Sequence, residues 1–494
     1  MAGETAVQFE IVIGLEIHVQ LMTQSKMFCG CSTKFGAPPN TQTCPVCLGL
    51  PGSLPVINRR AVELGLRTAL ALECRAQPRS QYHRKNYYYP DLPKNYQISQ
   101  YQYRDHPPLG TGGRLIIPVD GMERVVGIRR VHLEEDTGKL VHEALEDESG
   151  YVSGYALVDY NRGGVPLMEV VTDPDLRSPE EARIFLGRLR TLLQYIEVST
   201  GRMEEGTFRC DANVSLRRPG EPLGIRTEVK NMNSLRSVER ALAFEVERQR
   251  RVLADGGQVI QETRHWDEQR GVTFSSREKE EAQDYRYFPE PDLVPLAVDE
   301  DWIADVRRRL PELPEARRER FITAHGLSAY DAEVLTSEKV LADFFEATVA
   351  HHPKPKAVSN WLLTEILGWL NAQGKEIQDL AVTPAQVAAL LRLVDDGTLS
   401  IRSAKEVGEE MLSTGKDPSR IVEERGLVQI SDEAMLRGVI QEVIGEHPGP
   451  AADFRGGKDR ALTFLVGQVM RKTRGRANPE MVNRLLRESL RDQG

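Results

Sequence analysis

From Ile11 to Leu21 the apolar residues fall on every second position, Ile11, Ile13, Leu15, Ile17, Val19 and Leu21, and the positions between them include Glu16, His18 and Gln20. Successive side chains of a strand point to opposite faces, so the pattern predicts a strand with a core face and a face carrying a carboxylate, an imidazole and an amide in a row. The division recurs over 208–217, where Phe208, Cys210, Ala212, Val214 and Leu216 alternate with Arg209, Asp211, Asn213, Ser215 and Arg217. Over 225–230, Ile225, Thr227 and Val229 oppose Arg226, Glu228 and Lys230. Glu169 lies between Leu167 and Val171 on one face after Gly163-Gly164, and Val131-His132-Leu133-Glu134-Glu135-Asp136 ends a strand in three acids before Thr137-Gly138. A half-wet antiparallel sheet alternates in this way by itself, and a single acid on such a face is usually solvated or ion-paired. The recurrence of Glu, Asp and His over several strands, where Thr, Lys and Arg are the usual choice, sets these faces apart.

The period then changes. Ser234 is a plausible N-cap for a helix whose Leu235, Val238, Leu242 and Val246 share one face and which Gly256-Gly257 ends. Residues 1–297 otherwise keep the Gly-, Pro- and Tyr-rich texture of short strands. From 298 apolar residues recur at helical spacing, as in LPELPEARRERFITAHGL. The stretch at 410–425 reads as a linker entering a small terminal helical unit. The expected fold is α+β, with a β-rich domain at 1–297 built on an antiparallel sheet, an all-α domain at 298–412 and a small α-helical tail at 413–494.

The chain of 494 residues has room for two to four domains at about 100–200 residues each. A net charge of −9 requires any RNA contact to come from local patches. MAGETAVQFE lacks the basic and apolar regions of a secretory signal, and no apolar run approaches the roughly 18 residues of a membrane span. The expectation is a soluble, cytoplasmic protein with no membrane partner. Four of the six cysteines form two close pairs, Cys29-x-Cys31 and Cys44-x-x-Cys47, which can converge on one structural, tetrahedral Zn²⁺, against the alternative of free thiols that cluster. Phosphoryl transfer from ATP needs divalent ions held by hard oxygen ligands; Glu16, Glu135, Asp211 and Glu228 are of that type, and His18 can fill a position. There is no phosphate-binding G-x-x-x-x-G-K-[ST] loop, no kinase signature and no G-x-S-x-G elbow. No cysteine has an obvious histidine partner, so the chain shows no means of hydrolysing glutamine.

Two further stretches stay open between readings. Tyrosines interleaved with Arg84, Lys85 and Lys94 over 84–96 suit base stacking with phosphate contact, or a hairpin with cross-strand aromatic pairs. From 451 to 494 ten Lys/Arg face five Asp/Glu, and Arg471-Lys472-Thr473-Arg474-Gly475-Arg476 is either an RNA-phosphate contact or a solvated turn.

IGLEIHVQL (13–21), RKNYYYPDLPKNYQISQY (84–101), VHLEEDTGK (131–139), VDYNRGGVPLMEVV (158–171), MEEGTFRCDANVSLR (203–217), TEVKNMNS (227–234) and DYRYFPEPDL (284–293) resemble the B-subunit family of the aspartyl/glutamyl-tRNA amidotransferases. The likeness continues through SNWLL (359–363), GLVQISDE (426–433) and FLVGQVMRKTRGRANP (464–479). It implies a ligase subunit that phosphorylates the side-chain carboxylate of Asp-tRNA(Asn) or Glu-tRNA(Gln) with ATP, after which ammonia displaces phosphate. It implies an amidase-type A subunit that frees ammonia from glutamine, a small C subunit completing a heterotrimer, and misacylated tRNA as substrate. It implies a β-rich cradle, a helical domain and a tail that touches the tRNA body. The family's catalytic residues fall on Glu16, His18, Glu135, Glu169, Asp211 and Glu228, of which Glu16, His18, Glu135, Asp211 and Glu228 are its Mg²⁺ ligands, and Arg209 and Lys230 are candidates for phosphate contact. A tRNA-binding scaffold without kinase activity and a zinc-stabilised RNA-binding protein are the competing readings; side chains of the required type at all six positions favour the ligase.

Overall fold

A computed structural model of the chain describes residues 9–101, 106–146, 152–275, 285–427, 432–473 and 477–491. The alternation at 11–21 becomes β1 (Glu10–Gln20), whose Ile13, Leu15, Ile17 and Val19 are at most 1% exposed. Also in the sheet are β2 (Tyr82–Asn86), β3 (Tyr96–Gln100), β4 (Gly110–Val119), β5 (Met122–Glu135), β6 (Pro166–Thr172), β7 (Phe208–Arg217), β8 (Thr227–Lys230), β9 (Thr263–Asp267) and β10 (Val272–Ser275). Among the described residues the order across the 12-stranded sheet is β10-β9-β8-β7-β1-β6-β5-β3-β2, ending on Phe288–Pro289, with β4 beside β5 and the short strand Arg75–Ala76 beside β4. Neighbours are antiparallel except β8 and β9. A separate ribbon pairs Lys139–Glu146 with Val152–Asp159.

Helices cover the core face. α1 (Arg59–Ala71), α2 (Pro179–Tyr195) and α3 (Leu235–Ala254) start at Asn58, Ser178 and Ser234, whose side chains accept backbone N–H groups of the first turn. Their Leu64, Phe185, Leu189, Val238 and Leu242 bury in the same cluster as Ile13, Leu15 and Ile17. Each such side chain contributes about 1.5–3 kcal/mol, so a charge at Leu15 would unseat the sheet centre, while the opposite face is left for polar groups.

The first compact unit runs to Leu313 and the second from Pro314 to the end. Val298 and Val306 bury in the first cluster, which carries that unit beyond Ala297. In the second unit one apolar cluster gathers residues from Phe321 to Val422 and another gathers residues from Leu436 to Leu490. The linker expected at 410–425 is instead helical. Ile401–Thr414 and Pro418–Arg425 bury Met411, Leu412, Ile421 and Val422, and Gly415 and Pro418 serve as a left-handed C-cap and a first-turn proline. The α+β expectation, an antiparallel-rich sheet followed by helices, matches the structure. No helix among the described residues is long and apolar enough to cross a membrane.

Candidate functional site

Cross-strand register sets one residue from each of four strands in a row on the polar face. Arg209 of β7 lies opposite His18 of β1, His18 opposite Glu169 of β6, and Glu169 opposite His132 of β5. Around this row four side chains close an alternating ring. His18 Nε2 lies 3.4 Å from Glu169 Oε2 and 3.8 Å from Glu134 Oε1. His132 Nε2 lies 3.6 Å from Glu134 Oε2 and 3.6 Å from Glu169 Oε2. Glu16 brings a third carboxylate to His18 at 3.6 Å. Donors hold the ring from outside: Ser99 Oγ donates to Glu134 Oε2 at 3.1 Å, and Arg130 Nη2 to Glu169 Oε1 at 2.9 Å.

Burial opposes charge throughout this cluster, and at His18, Glu134 and Glu169 the partners overcome it. Burial would lower the His18 imidazole, but the hydrogen bond and charge of Glu169, with Glu134 and Glu16, raise it to about 9. Burial would raise Glu169, yet the charges of His132, His18 and Arg130 hold it well below the carboxylate range. Glu134 is lowered against burial chiefly by His132, whereas burial and the neighbouring Glu169 raise Glu16. The ligand atoms of Glu16, His18 and Glu169, and those of His132, Glu134 and Glu169, each lie within 4.8 Å of one another. Carboxylate oxygens with an imidazole nitrogen suit a hard divalent cation.

The structure therefore brings Glu16, His18 and Glu169 together. Asp211 sits opposite Glu16 in register. Asp211 and Glu228 converge on Lys230, whose ammonium contacts the Asp211 carboxylate and lies 3.1 Å from Glu228. Those two acids raise the Lys230 pKa against burial. Arg209 donates to Asp136 at 3.0 Å, and Gln20 donates to the same carboxylate at 2.7 Å. Glu135 goes elsewhere. Strand alternation turns it away from Glu134; it pairs with the Lys94 ammonium and accepts the Ile98 N–H at 3.0 Å. Sequence reasoning missed His132, Glu134 and Arg130. The signal was present, since Val131 and Leu133 are core residues and 130, 132 and 134 must share the other face.

The four cysteine sulfurs also lie within 4.8 Å of one another. A backbone bond from Lys26 N to Cys31 O at 2.9 Å ties one pair, and a turn closed by Leu48 N to Cys44 O at 3.1 Å presents the other. The Cys29 thiol donates to Cys47 and, with backbone help and the Lys26 ammonium 3.6 Å away, brings the Cys47 thiol down to about 4 against burial. The same hydrogen bond raises Cys29, and burial pushes Cys31 up to about 11. Four sulfurs this close together are a donor set that could hold a metal such as zinc. Cys29 and Cys47, with Lys26, Lys94 and Glu135, wall a cavity of about 170 Å³.

The 84–96 stretch is a hairpin, β2 on β3, in which Arg84 lies 4.3 Å from the Tyr96 ring. Beside it Tyr101 and Tyr287 stack at 4.1 Å and Lys85 lies 4.9 Å from the Tyr285 ring, while Tyr88 is 75% exposed. In the tail Lys472 pairs with Glu442 and Glu446 at 2.9 and 2.7 Å. Arg474, Gly475 and Arg476 of the basic turn lie outside the described residues.

The first unit thus stages carboxylates, imidazoles and cations on the polar face of its sheet, and helical clusters make up the second. Residues 11–304 match the GatB/GatE catalytic domain and residues 343–490 match the GatB domain. The chain belongs to the GatB/GatE family. Proteins named as the B subunit of aspartyl/glutamyl-tRNA(Asn/Gln) amidotransferase are similar over 98% of this chain. That of Moorella thermoacetica is 58% identical, with 100% of its length covered. Those of Carboxydothermus hydrogenoformans and Brevibacillus brevis are 54% and 51% identical, with 99% of each covered.

Proposed function

We propose that this chain is the carboxylate-activating subunit of a tRNA-dependent amidotransferase. With ATP it phosphorylates the side-chain carboxylate of aspartate on tRNA(Asn) or glutamate on tRNA(Gln), and ammonia derived from glutamine displaces phosphate to give the amide. The observation that carries the reading is the ring of His18, Glu134, His132 and Glu169 with Glu16 beside it, on a strand face flanked by Lys230 and Arg209. Glu16, His18 and Glu169, with Glu134, would hold Mg²⁺, and Asp211 and Glu228 would complete the acidic row. When bound, Mg²⁺ neutralises phosphate oxygens so that a carboxylate can approach the γ-phosphate. Lys230 and Arg209 orient the remaining phosphate oxygens by exchanging carboxylate partners for them. Glu135, paired to Lys94, acts from the neighbouring cavity and not as a ligand in the ring.

The four cysteines hold a structural zinc. Residues 1–297 receive the acceptor end, where exposed tyrosines of the hairpin offer faces to unpaired bases. Residues 298–412 and 413–494 extend the contact along the tRNA body. An amidase-type A subunit and a small C subunit supply ammonia and complete a cytoplasmic heterotrimer. This fits a family whose relatives are named as the B subunit of such an enzyme.

The test is ADP formation by the reconstituted complex from ATP, misacylated tRNA and free ammonia. His18→Ala and Glu169→Gln should each slow it by about 100-fold or more, roughly 3 kcal/mol of transition-state stabilisation. The partner's glutamine hydrolysis should persist. Near-normal turnover by both variants would remove the ring from the chemistry.

A further inference from the structure

The ring contains two imidazoles with different surroundings. The His18 side chain is 19% exposed and the His132 side chain 5%. A buried histidine is ordinarily a satisfied core residue. His132, however, stands between two carboxylates that are themselves 3% and 5% exposed, so its surroundings are anionic and not apolar. Arg130 Nε donates to His132 Nδ1 at 3.4 Å, which turns Nε2 toward both carboxylates.

The outer contacts sort the carboxylate oxygens. Glu134 Oε2 takes Ser99 and faces His132, so Oε1 remains toward His18. Glu169 Oε1 takes Arg130, so Oε2 remains between the two imidazoles. One oxygen of each acid is thereby left beside His18 Nε2 and the Glu16 carboxylate. We infer that His132, steadied by Arg130, is a positioning residue that fixes the separation and orientation of Glu134 and Glu169, so that each presents one oxygen toward His18; the inference rests on reading the ring as the divalent-cation site of the proposed activity. The His132 side chain is the less exposed of the two imidazoles and lies against both acids. It holds like charges together when the site is empty and keeps them aimed when it is filled, as outer partners of ligands do elsewhere at about 10–100-fold in affinity.

The experiment measures Mn²⁺ binding to the purified chain by electron paramagnetic resonance, with thermal melting as the folding control and metal-dependent ADP formation in the complex alongside. His132→Ala should weaken Mn²⁺ by about 10–100-fold. It should raise the metal concentration needed for half-maximal rate, and leave the rate at saturating metal and the metal-free affinity for tRNA nearly unchanged. His132→Gln, whose amide can still donate toward a carboxylate, should recover most of the loss. Arg130→Lys should fall between. Wild-type Mn²⁺ affinity in the histidine variants overturns the inference, and so does a loss of rate that saturating metal cannot restore, because His132 would then be a ligand. If His132→Ala does not fold, His132→Gln and Arg130→Lys decide, and wild-type affinity in both overturns it. His18→Ala separates this outcome from failure of the proposed function. Weakened Mn²⁺ binding in His18→Ala with unaltered His132 variants sinks only the role of His132. Unaltered binding in His18→Ala sinks the cation site itself.

Discussion

Removing metal from the cysteine tetrad should loosen one loop and spare the sheet. Between Thr33 and Asn58 the chain forms only turns and bends, and from Cys29 to Arg60 Cys47 is the one buried residue. Phe35, Leu54 and Val56 are 75%, 64% and 73% exposed, so the loop has no core of its own. Its anchors include hydrogen bonds of Asn40 and Gln42 to Asp159, Tyr160 and Asn161, and the sulfur cluster. A metal joining Cys29 to Cys47 closes a loop of about 18 residues, and releasing that closure returns about 3 kcal/mol of chain entropy. Open conformations of the loop should then rise by about two powers of ten. None of the four cysteines belongs to the sheet's apolar cluster, so the global transition should move little. Hydrogen exchange of residues 30–56 in the zinc-loaded chain, the chelated chain and the Cys29→Ser/Cys31→Ser/Cys44→Ser/Cys47→Ser variant measures this, with about one zinc expected per loaded chain. Exchange within about threefold across all three would refute the reasoning, as would a variant that keeps its metal.

Three other perturbations have defined outcomes. Glu245 is fully buried and accepts from Arg248 at 2.6 and 2.9 Å, Gln249 at 3.0 Å and Thr273 at 3.1 Å; Glu245→Ala should cost about 3–5 kcal/mol in urea unfolding, and a cost below about 1 kcal/mol would show that the network is dispensable. Glu135→Ala strands the buried Lys94 ammonium and the Ile98 N–H, while Glu135→Gln keeps an acceptor for the latter; the alanine variant should be the less stable by about 1–3 kcal/mol, and equal melting would contradict the pairing. Ending the chain after Leu427 removes the last apolar cluster as a unit and should raise KM for tRNA more than it lowers kcat, since phosphate contacts position RNA without touching the reacting group; an unchanged KM at moderate salt would take the tail out of the binding account.

What could be read from sequence and what could not divides along one physical line. Alternation fixed the faces of β1 and β7 and the helix from Leu235, because each pattern is local: the residue's parity, or its place in a turn, decides where it points. The same rule applied to Val131 and Leu133 would have put Glu134, not Glu135, beside His18, but three consecutive acids hide the parity that their apolar neighbours reveal. The linker reading of 410–425 gave way for a related reason: residues that punctuate a linker, such as Gly415 and Pro418, also cap two abutting helices, and only the burial of Met411 and Ile421 tells them apart. Partnership is different in kind. That Arg209 holds Asp136, that Lys230 bridges Asp211 and Glu228, and that His132 stands behind Glu169 all follow from cross-strand register and twist. Register is set by the summed packing of every strand and by no single segment. A polar face can therefore be recognised one strand at a time, whereas a site is a property of strands in order. The resemblance supplied that order here only as far as the residues it carried; the shared face of Arg130, His132 and Glu134 was legible from Val131 and Leu133, but their place beside Glu169 and His18 appears only when β1, β6 and β5 lie side by side.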